Sequence, residues 1–468
     1  MQEETVYQWA KSLEALLAQG GEDQVRQMCA EQRPADLAEA LDFLDGEEKQ
    51  AVFRLLDLPQ AAEVLGECDE DQRAELMAAL SEEILARVVD HLPPDDAADA
   101  VSELSDERAG RVLSKIRESE EIRDLLRYDE ESAGGIMTPD VIAFPETMTV
   151  GELLDAFRGG WKTAKAARVP VIAAKPEWEN AYELIREENI YSIFVVDNDR
   201  KLKGFVRLQD ILRSDSETRL SEILDTDVIS VLTGEDQEEV AELAQKYDLV
   251  SIPVTDSEGH LVGRITIDDV IDVIEEETTE DFMKMAGTTE DELITESALR
   301  SLGLRLPWIM VALLGLFLSA TILRFFEPTI ARVVQLMPFI PVVCGITGNT
   351  AVQSATIIIR GLATGQIDVM MVFSVIFKEI RTGILIGVVC GGVVLLVAYW
   401  FTQIGPVAWA VGISVFCAIS VASSLGVFIP LFLARIGKDP AIATGPIVTS
   451  LSDATAGAIY FIVATAIV

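Results

Sequence analysis

The sequence predicts a multidomain protein: an all-α domain of helical repeats, an α/β region made of two similar copies, a connecting helix and an α-helical membrane domain with five spans. Three observations predict this fold class. The residues from Ser301 onward hold only five of the 77 acidic residues and eight of the 37 basic ones. The same residues form five apolar segments, while helical repeats and a duplicated strand pattern precede them. An acidic soluble half is therefore joined to a membrane half.

Residues 1–131 are predicted to form the all-α repeat domain. Similar segments begin at Pro34, Pro59 and Pro94, and each is followed by a second acidic helix start. Proline in the first turn with acids beside it is typical of a helix N-terminus, where the missing N–H costs nothing and negative charge meets the positive end of the helix dipole. Apolar residues recur three or four apart, as at Leu37, Leu41 and Leu44. We expect a solenoid-like stack with acidic outer faces.

Residues 132–274 change to short strands between helices. Two copies, 193–212 and 252–271, each read as a strand, a polar Asp/Gly turn, a second strand and a helix. This arrangement resembles a tandem pair of cystathionine-β-synthase (CBS) domains over roughly 134–274. A basic, alanine-rich stretch between residues 158 and 179 is interpreted as an insertion into the first copy.

The CBS resemblance implies an adenine nucleotide site through a Gly-x-x-Thr/Ser-x-x-Asp stretch. The second copy fits this stretch with Gly263, Thr266 and Asp269, whereas the first has Arg207 in place of the hydroxyl. The sequence is therefore compatible with one ATP site and does not support two.

The predicted connecting helix, 275–301, continues from an acidic run in the second copy. Asp269 and Asp272 are three residues apart, and Glu276 and Glu280 are four apart. Such spacings place like charges on one helical face, which is unfavourable by a few tenths of a kcal/mol per pair. We expect a positive group to lie against this face, and acids clustered in this way suggest a part that senses cations. The alternatives are an exposed linker helix or the acidic surface of a salt-loving organism.

The membrane domain, 302–468, is predicted to cross the bilayer at about 304–325, 330–359, 369–401, 406–433 and 441–468, each long enough for the hydrocarbon core. Five crossings put the termini on opposite sides. The excess of short-loop basic residues marks the cytoplasmic side. Only Arg324 and Arg332 fall on the far side. On the N-terminal side lie Arg300, Arg305, Arg360, Lys378, Arg381, Arg435 and Lys438. We expect a multi-pass protein of a bacterial or archaeal cell membrane with cytoplasmic N-terminal domains.

The sharpest chemical signal is Asp453, about twelve residues or roughly 18 Å into the last apolar segment. A carboxylate at that depth costs at least about 2.5–3.5 kcal/mol, so it should face a wet path or an ion. Thr449 shares its helical face. The second segment supplies an opposing wall of broken backbone and amides, a pattern tolerated only where it is buried or lines a cavity. This wall consists of Pro338, Pro341, Gly345, Gly348, Asn349, Thr350 and Gln353. Oxygen ligands without thiolate or imidazole disfavour zinc or copper and suit Mg²⁺.

The whole chain from about Pro34 onward resembles the MgtE family of magnesium channels. The resemblance rests on the domain order, on Gly-Ile-Thr-Gly-Asn-Thr-Ala-Val-Gln from Gly345, on Asp439-Pro-Ala and on Ser452-Asp453. It implies a homodimer with a pore on the two-fold axis, and Mg²⁺ as both substrate and regulator that closes the pore from the cytosol. It also implies that these acids sense cytosolic Mg²⁺: Asp95, Asp96, Asp99, Asp269, Asp272, Glu277, Glu280 and Asp281.

Two departures from the family pattern leave the ion preference open. Val352 stands where an Asn is usual, and Gly445 stands where an Asn before the proline is common. Co²⁺ or Mn²⁺ are therefore alternatives to Mg²⁺. No phosphate-binding loop or nucleophile–base set is evident, so we expect no enzyme, and we expect no nucleic acid partner. Two further alternatives are a membrane-anchored nucleotide sensor built on the CBS pair and a transporter of an organic or anionic solute.

Overall fold

The structure is a computed structural model that describes residues 3–117, 119–155, 157, 192–289, 298–363, 372–443 and 445–468. The interpreted insertion at 158–179 lies outside the described residues. The chain divides into two compact units, Met1–Ile274 and Glu275–Val468. Each unit is described by itself below.

The first unit begins with the predicted helical repeats, and this part of the fold class is confirmed. Several of its helices begin with a side-chain cap: the carboxylates of Asp57 and Asp69 and the hydroxyl of Ser81 each accept a backbone N–H of the first turn. The described helices of this domain are Glu3–Ala18, Glu22–Ala30, Pro34–Asp42, Gly46–Phe53, Leu58–Gly66, Glu70–Ala78, Glu82–Val89, Pro94–Ser102, Asp106–Leu113 and Ser119–Leu125.

Among the described residues, two three-stranded sheets of the same topology follow, which confirms the duplicated α/β pattern. Their strands are β1 Ala143–Pro145, β2 Ser192–Val196, β3 Leu202–Arg207, β4 Val231–Leu232, β5 Ser251–Thr255 and β6 Leu261–Thr266. In each sheet the first strand pairs parallel with the second and the second pairs antiparallel with the third. The register shifts at the same place in both sheets, after the pairs Val195–Gly204 and Val254–Gly263. The helices are Val150–Asp155, Leu208–Arg213, Leu220–Ile223, Gln237–Tyr247 and Ile267–Ala286.

The helical domain and the second sheet are joined by backbone hydrogen bonds. Ala133 N donates to Glu235 O at 2.7 Å, Gly134 N donates to Thr233 O at 2.9 Å, and Gln237 N donates to Glu131 O at 2.9 Å. One continuous apolar core runs from the repeats into this sheet. The acids on both sides of the junction are therefore held by a common scaffold.

The second unit contains five helices long and apolar enough to cross a membrane, by length and composition, among the described residues. These spanning helices, first to fifth, are Ala298–Phe325, Ile340–Ala363, Val372–Thr402, Gly405–Arg435 and Pro446–Ile467. Shorter pieces are the helix Glu327–Arg332 and the 3₁₀ turns Val334–Phe339 and Ala441–Ala443. Small residues set the packing: a Cβ at Gly315 of the first helix would lie 2.1 Å from Ser450 Cβ of the fifth.

The connecting helix continues from the second copy, as expected from its acidic run, whereas the second span differs from the sequence expectation. One helix runs from Ile267 to Ala286, because neither proline nor glycine interrupts the sequence before Gly287. Gly287 ends it with a φ of +80°, a conformation that favours glycine after a helix. The segment expected as one span at 330–359 is divided, since Pro338 lies in a 3₁₀ turn ahead of the long helix that starts at Ile340.

Candidate functional site

Asp453 lies on the fifth spanning helix where the second spanning helix comes closest to it. A Cβ at Gly348 would lie 3.5 Å from Asp453 Oδ1 and 3.7 Å from Thr449 Cγ2. Glycine therefore lets the second helix approach the carboxylate. Asp453 is half-buried, and among the described residues no side chain donates a hydrogen bond to it. Its oxygens are left for water or an ion.

The second spanning helix presents a polar face beside this point. Gly345, Asn349 and Gln353 follow one another at intervals of four, so they share one face, and all three are exposed in the single chain. Amide side chains turned to hydrocarbon would leave polar groups unsatisfied. This face therefore needs water, an ion or a second copy of the chain against it.

The structure brings together part of the predicted pore set. Gly348, Thr449 and Asp453 meet at one point, whereas Gly345, Asn349 and Gln353 form the adjacent face. The Thr449 hydroxyl donates to Gly445 O in the preceding turn at 3.1 Å. Its oxygen lone pairs remain available as acceptors.

The end of the connecting helix lies at the beginning of the fifth spanning helix. A Cβ at Gly287 would lie 3.4 Å from Pro446 Cδ and 3.4 Å from Trp308 Cβ. A Cβ at Gly445 would lie 3.0 Å from Met285 O, closer than nearly all such contacts. Gly445 is eight residues before Asp453, or roughly 12 Å along the helix. The connecting helix is thus seated at one mouth of the candidate pathway.

A lysine missed in the sequence analysis holds this junction. Lys284 Nζ lies 2.5 Å from Glu280 Oε1 and 2.9 Å from Asp439 Oδ2. Burial lowers the pKa of Lys284, but the hydrogen bonds to both carboxylates outweigh it and hold the pKa above its usual range. Burial, and next the charge of Asp439, raise the pKa of Asp281. The four-residue spacing of Glu280 and Lys284 was the available signal. Part of the positive charge expected against these acids therefore comes from the chain itself.

The helical domain and the second copy share an acidic cluster in the first unit. Burial first, and then the charges of Asp99 and Asp269, raise the pKa of Asp96 to about 7. Burial and the neighbouring Asp96 raise the pKa of Asp95 to about 7. Burial also raises the pKa of Asp269 to about 7, although the hydrogen bond from Thr266 lowers it. Asp99 is exposed beside them. These acids are close enough to repel one another.

The rest of the predicted sensor set lies along the same helix. Burial raises the pKa of Glu67, and the charges of Asp272 and Asp268 raise it further. Asp272 is exposed and Glu277 is half-buried. In the part of the chain that the structure describes, no three His, Cys, Asp or Glu side chains converge closely enough to hold a metal ion.

The predicted nucleotide stretch is engaged in local structure. Thr266 donates to Asp269 Oδ2 through its backbone N at 3.1 Å and its hydroxyl at 2.6 Å, which caps the start of the helix. A Cβ at Gly263 would lie 2.7 Å from Met137 Sδ and 2.8 Å from Thr138 O, so close packing accounts for this glycine. An ATP site here stays a prediction.

Comparison with known proteins places the chain in a family. The family model of MgtE divalent cation transporters matches residues 340–463. The model of the MgtE intracellular N domain matches 32–131, and CBS domain models match 164–217 and 220–276. The magnesium transporter MgtE of Thermus thermophilus is 37% identical over 464 residues, which cover 97% of each chain. The chain belongs to the MgtE family.

Other MgtE proteins agree over shorter stretches. The magnesium transporter MgtE of Enterococcus faecalis is 33% identical and covers 74% of this chain and 72% of its own. A solved structure of the cytosolic domain of the Mg²⁺ channel MgtE in complex with ATP is 36% identical, with a TM-score of 0.48. It covers 56% of this chain and 99% of its own. Family membership and the five apolar helices identify a membrane transport protein with a soluble N-terminal part.

The raised pKa values in the soluble unit predict a pH dependence of its stability. A carboxyl whose pKa is higher in the folded chain than in the unfolded chain contributes stability that is fully present below its unfolded pKa. That stability is lost as the pH rises through the folded pKa. For Asp95, Asp96 and Asp269 the loss should therefore extend up to about pH 7. We expect calorimetry of the full-length protein in metal-free buffer to give a lower unfolding temperature for this unit at pH 8 than at pH 5.5.

Replacing these three acids by Asn should flatten this dependence. The matched control replaces three exposed acids of the same domain, Asp23, Glu31 and Glu47, by their amides. An equal flattening in the control would show that general surface charge, not the cluster, sets the pH dependence.

Proposed function

We propose that the protein is a homodimeric channel that carries Mg²⁺ across the cell membrane and is closed by Mg²⁺ in the cytosol. The observation that carries this proposal is the Asp453 carboxylate, which lies inside a spanning helix, against Gly348 and without a protein hydrogen-bond donor among the described residues. A carboxylate in that environment is stabilised by a cation. The magnesium transporters to which the chain is similar support the choice of Mg²⁺.

A second copy accounts for the exposed polar face. One chain supplies a single carboxylate, which is little charge for a divalent ion. Two copies related by a two-fold axis would supply two Asp453 carboxylates and two sets of amides from Asn349 and Gln353 around a common path. Mg²⁺ sheds water reluctantly and commonly keeps several waters when it is bound by one or two carboxylates. Such a path suits a largely hydrated ion.

The charges of the short loops support a cytoplasmic location for the soluble unit. Arg435 and Lys438 follow the fourth spanning helix, and Lys378 and Arg381 lie near the start of the third. Basic residues are enriched on the cytoplasmic side of membrane proteins. The acids of the soluble unit would then respond to cytosolic ions.

Closure by Mg²⁺ follows from the acidic cluster. Two carboxylates about 4 Å apart repel by roughly 4 kcal/mol at an effective dielectric constant near 20. Bringing Asp95 and Asp96 against Asp269 is therefore unfavourable unless protons or a divalent ion neutralise them. Mg²⁺ that binds the docked arrangement better than the open one shifts the population towards it. The connecting helix, seated by Gly287 and Met285 at the start of the fifth spanning helix, would then close the pathway.

The first test is Asp453→Asn, which keeps the size of the side chain and removes its charge. We expect Mg²⁺ uptake into liposomes that contain only the purified protein to fall by about a hundredfold or more, because the mid-membrane charge that attracts the ion is lost. The dimer should still form. Uptake is measured for Mg²⁺, Co²⁺ and Mn²⁺ in parallel, which also decides between the ions left open by Val352 and Gly445.

The matched control for Asp453 is Thr455→Val on the same helix. The Thr455 hydroxyl donates only to Leu451 O of its own helix, at 2.7 Å. We expect its uptake to equal that of the parent chain. Parent-level uptake in Asp453→Asn would reject the ligand role and favour the alternative of a membrane-anchored CBS sensor.

The second test addresses closure by the soluble unit. We expect Mg²⁺ at millimolar concentration to protect residues 1–131 of the full-length protein from protease and to stop uptake, since only a divalent ion bridges carboxylates. KCl at the same ionic strength screens charge without bridging, so it is the control. Equal protection by KCl and Mg²⁺, or unchanged Mg²⁺ inhibition after deletion of residues 1–130, would contradict closure by the helical domain.

The third test is Gly445→Asn. A side chain at this position meets the Met285 carbonyl, so we expect it to displace the end of the connecting helix and to raise Mg²⁺ uptake at inhibitory internal Mg²⁺ several-fold. Gly303→Asn is the control, because a Cβ at Gly303 has no neighbour within 4 Å. Full inhibition by Mg²⁺ in Gly445→Asn would show that this contact does not hold the closed state.

A further inference from the structure

Among the described residues, Glu379 is the second carboxylate that lies within a spanning helix, after Asp453. It lies on the third spanning helix, six residues or roughly 9 Å after the apolar span begins at Phe373. It is 4% exposed, so it is far more buried than Asp453. Its polar neighbours are Lys378 of its own helix, whose Nζ lies 3.9 Å from Glu379 Oε1, and two serines of the second and fourth spanning helices. Buried acids at membrane depth mark functional positions by default.

Two serines from different helices contact Glu379, one at its carboxylate and one at its backbone carbonyl. The Ser354 hydroxyl of the second helix lies 3.5 Å from Glu379 Oε2. The Ser423 hydroxyl of the fourth helix donates to the Glu379 carbonyl at 3.1 Å and lies 3.1 Å from the Ser354 hydroxyl. Both serines are buried. One polar cluster therefore connects three spanning helices.

Glycines make this cluster sterically feasible. A Cβ at Gly383, one turn after Glu379, would lie 2.5 Å from Ser423 Cβ. A Cβ at Gly426 would lie 2.3 Å from Ala351 O and 3.0 Å from Ser354 Cβ. The third helix thus has a glycine where it packs against the fourth, and the fourth helix has a glycine where it packs against the second. Close approach of this kind places the hydroxyls within reach of the carboxyl group.

The cluster is mechanically connected to the candidate pathway through the second helix. Ser354 directly follows Gln353 and is six residues after Gly348, which is 240° around the helix and roughly 9 Å along it. Rotation of the second helix would carry Gly348 away from Asp453 and turn the amide of Asn349 to a new direction. The contact between Ser354 and Glu379 opposes this rotation. Apolar contacts alone are less directional than a hydrogen bond to a fixed acceptor.

We propose that Glu379 is a positioning residue for the ion pathway: it fixes the rotation of the second spanning helix through Ser354 and does not itself bind the transported ion. This inference rests on the proposed channel function for its effect on transport. Its effect on helix orientation stands independently of transport.

The transport test compares Glu379→Ala with Glu379→Gln in liposomes that contain the full-length protein. Glu379→Ala removes the acceptor, so we expect Mg²⁺ uptake to fall about tenfold and the ratio of Mg²⁺ to Co²⁺ uptake to change, because the pore amides are misplaced. Glu379→Gln keeps the volume and an acceptor oxygen, so uptake should stay within about twofold of the parent. Equal losses in both variants would mean that the charge itself is required, and would overturn the positioning role.

The orientation test measures the second helix directly. Asn349→Cys is introduced into a full-length chain whose native cysteines are replaced, and its modification by a membrane-impermeant methanethiosulfonate is timed. We expect Glu379→Ala to change this rate about fivefold and Glu379→Gln to leave it unchanged, since rotation moves the exposed face. An unchanged rate in Glu379→Ala overturns the proposal. If the parent chain carries no Mg²⁺, the proposed function fails while the labelling rate still decides the role of Glu379.

Two matched serine variants distinguish the effect of the polar cluster from a general packing effect. Ser423→Ala removes the hydroxyl that donates to the Glu379 backbone carbonyl and lies beside the Ser354 hydroxyl. Ser424→Ala removes a neighbouring hydroxyl that donates only to Ser420 O of its own helix at 2.9 Å. We expect only Ser423→Ala to shift the labelling rate of Asn349→Cys. Identical behaviour of the two variants would overturn the proposal, and this pair carries the test if Glu379→Ala fails to fold.

Discussion

A carboxylate inside a membrane must be compensated by something, and the arrangement of this protein follows from how its acids meet that constraint. Asp453 is half-buried, with no donor among the described residues, beside a glycine that lets a second helix approach. Glu379 is almost fully buried and is contacted by serines of two neighbouring helices. The same functional group is therefore half-buried at a helix contact at one position, where we propose the ion pathway, and enclosed in a packed protein interior at the other.

Acids outside the spanning helices are compensated by three kinds of positive charge. Arg73 is paired with Glu103 at 2.6 Å beside the acids of the helical domain. Lys284 bridges Glu280 and Asp439 at the end of the connecting helix. Protons are the third kind, since burial and mutual repulsion raise the pKa of Asp96 to about 7. Near neutral pH a divalent ion can displace the protons from such carboxylates. The ion is strongly attracted there, because the carboxylates otherwise repel one another.

Periodicity and composition were sufficient to predict the classes of structure. The proline-led repeats, the two matching strand–turn–strand copies and the apolar segments each depend on local sequence, so each could be read without knowledge of the fold. Asp453 could be singled out as a candidate pore residue because an acid is unusual in such a segment, and its pore role stays a prediction. The helix that runs on from the second copy could also be expected, because no breaking residue interrupts the sequence between Ile267 and Ala286.

The pairs that define the sites could not be predicted in this way. Lys284 and Asp439 lie far apart along the chain, and only the packing of the connecting helix brings them together. Ser354 and Ser423 are small polar residues of a kind common in spanning helices, so nothing in their local sequence marks them as neighbours of Glu379. Glu379 itself was visible as an acid in a predicted span, but the basic residues beside it suggested a loop.

The glycine at position 445 limits how the mouth of the pathway can be built. The volume that a side chain would occupy there is filled by the Met285 carbonyl, so a seated helix end and a side-chain ligand compete for one space. A chain that uses this space for backbone packing offers an arriving ion no amide at the entrance. The ion would therefore enter with its water shell complete, and protein oxygens would first replace water deeper in the membrane, near Thr449 and Asp453. In the proposed channel, the place where the ion loses water and the place where the connecting helix closes the pathway then lie at different positions along the fifth helix.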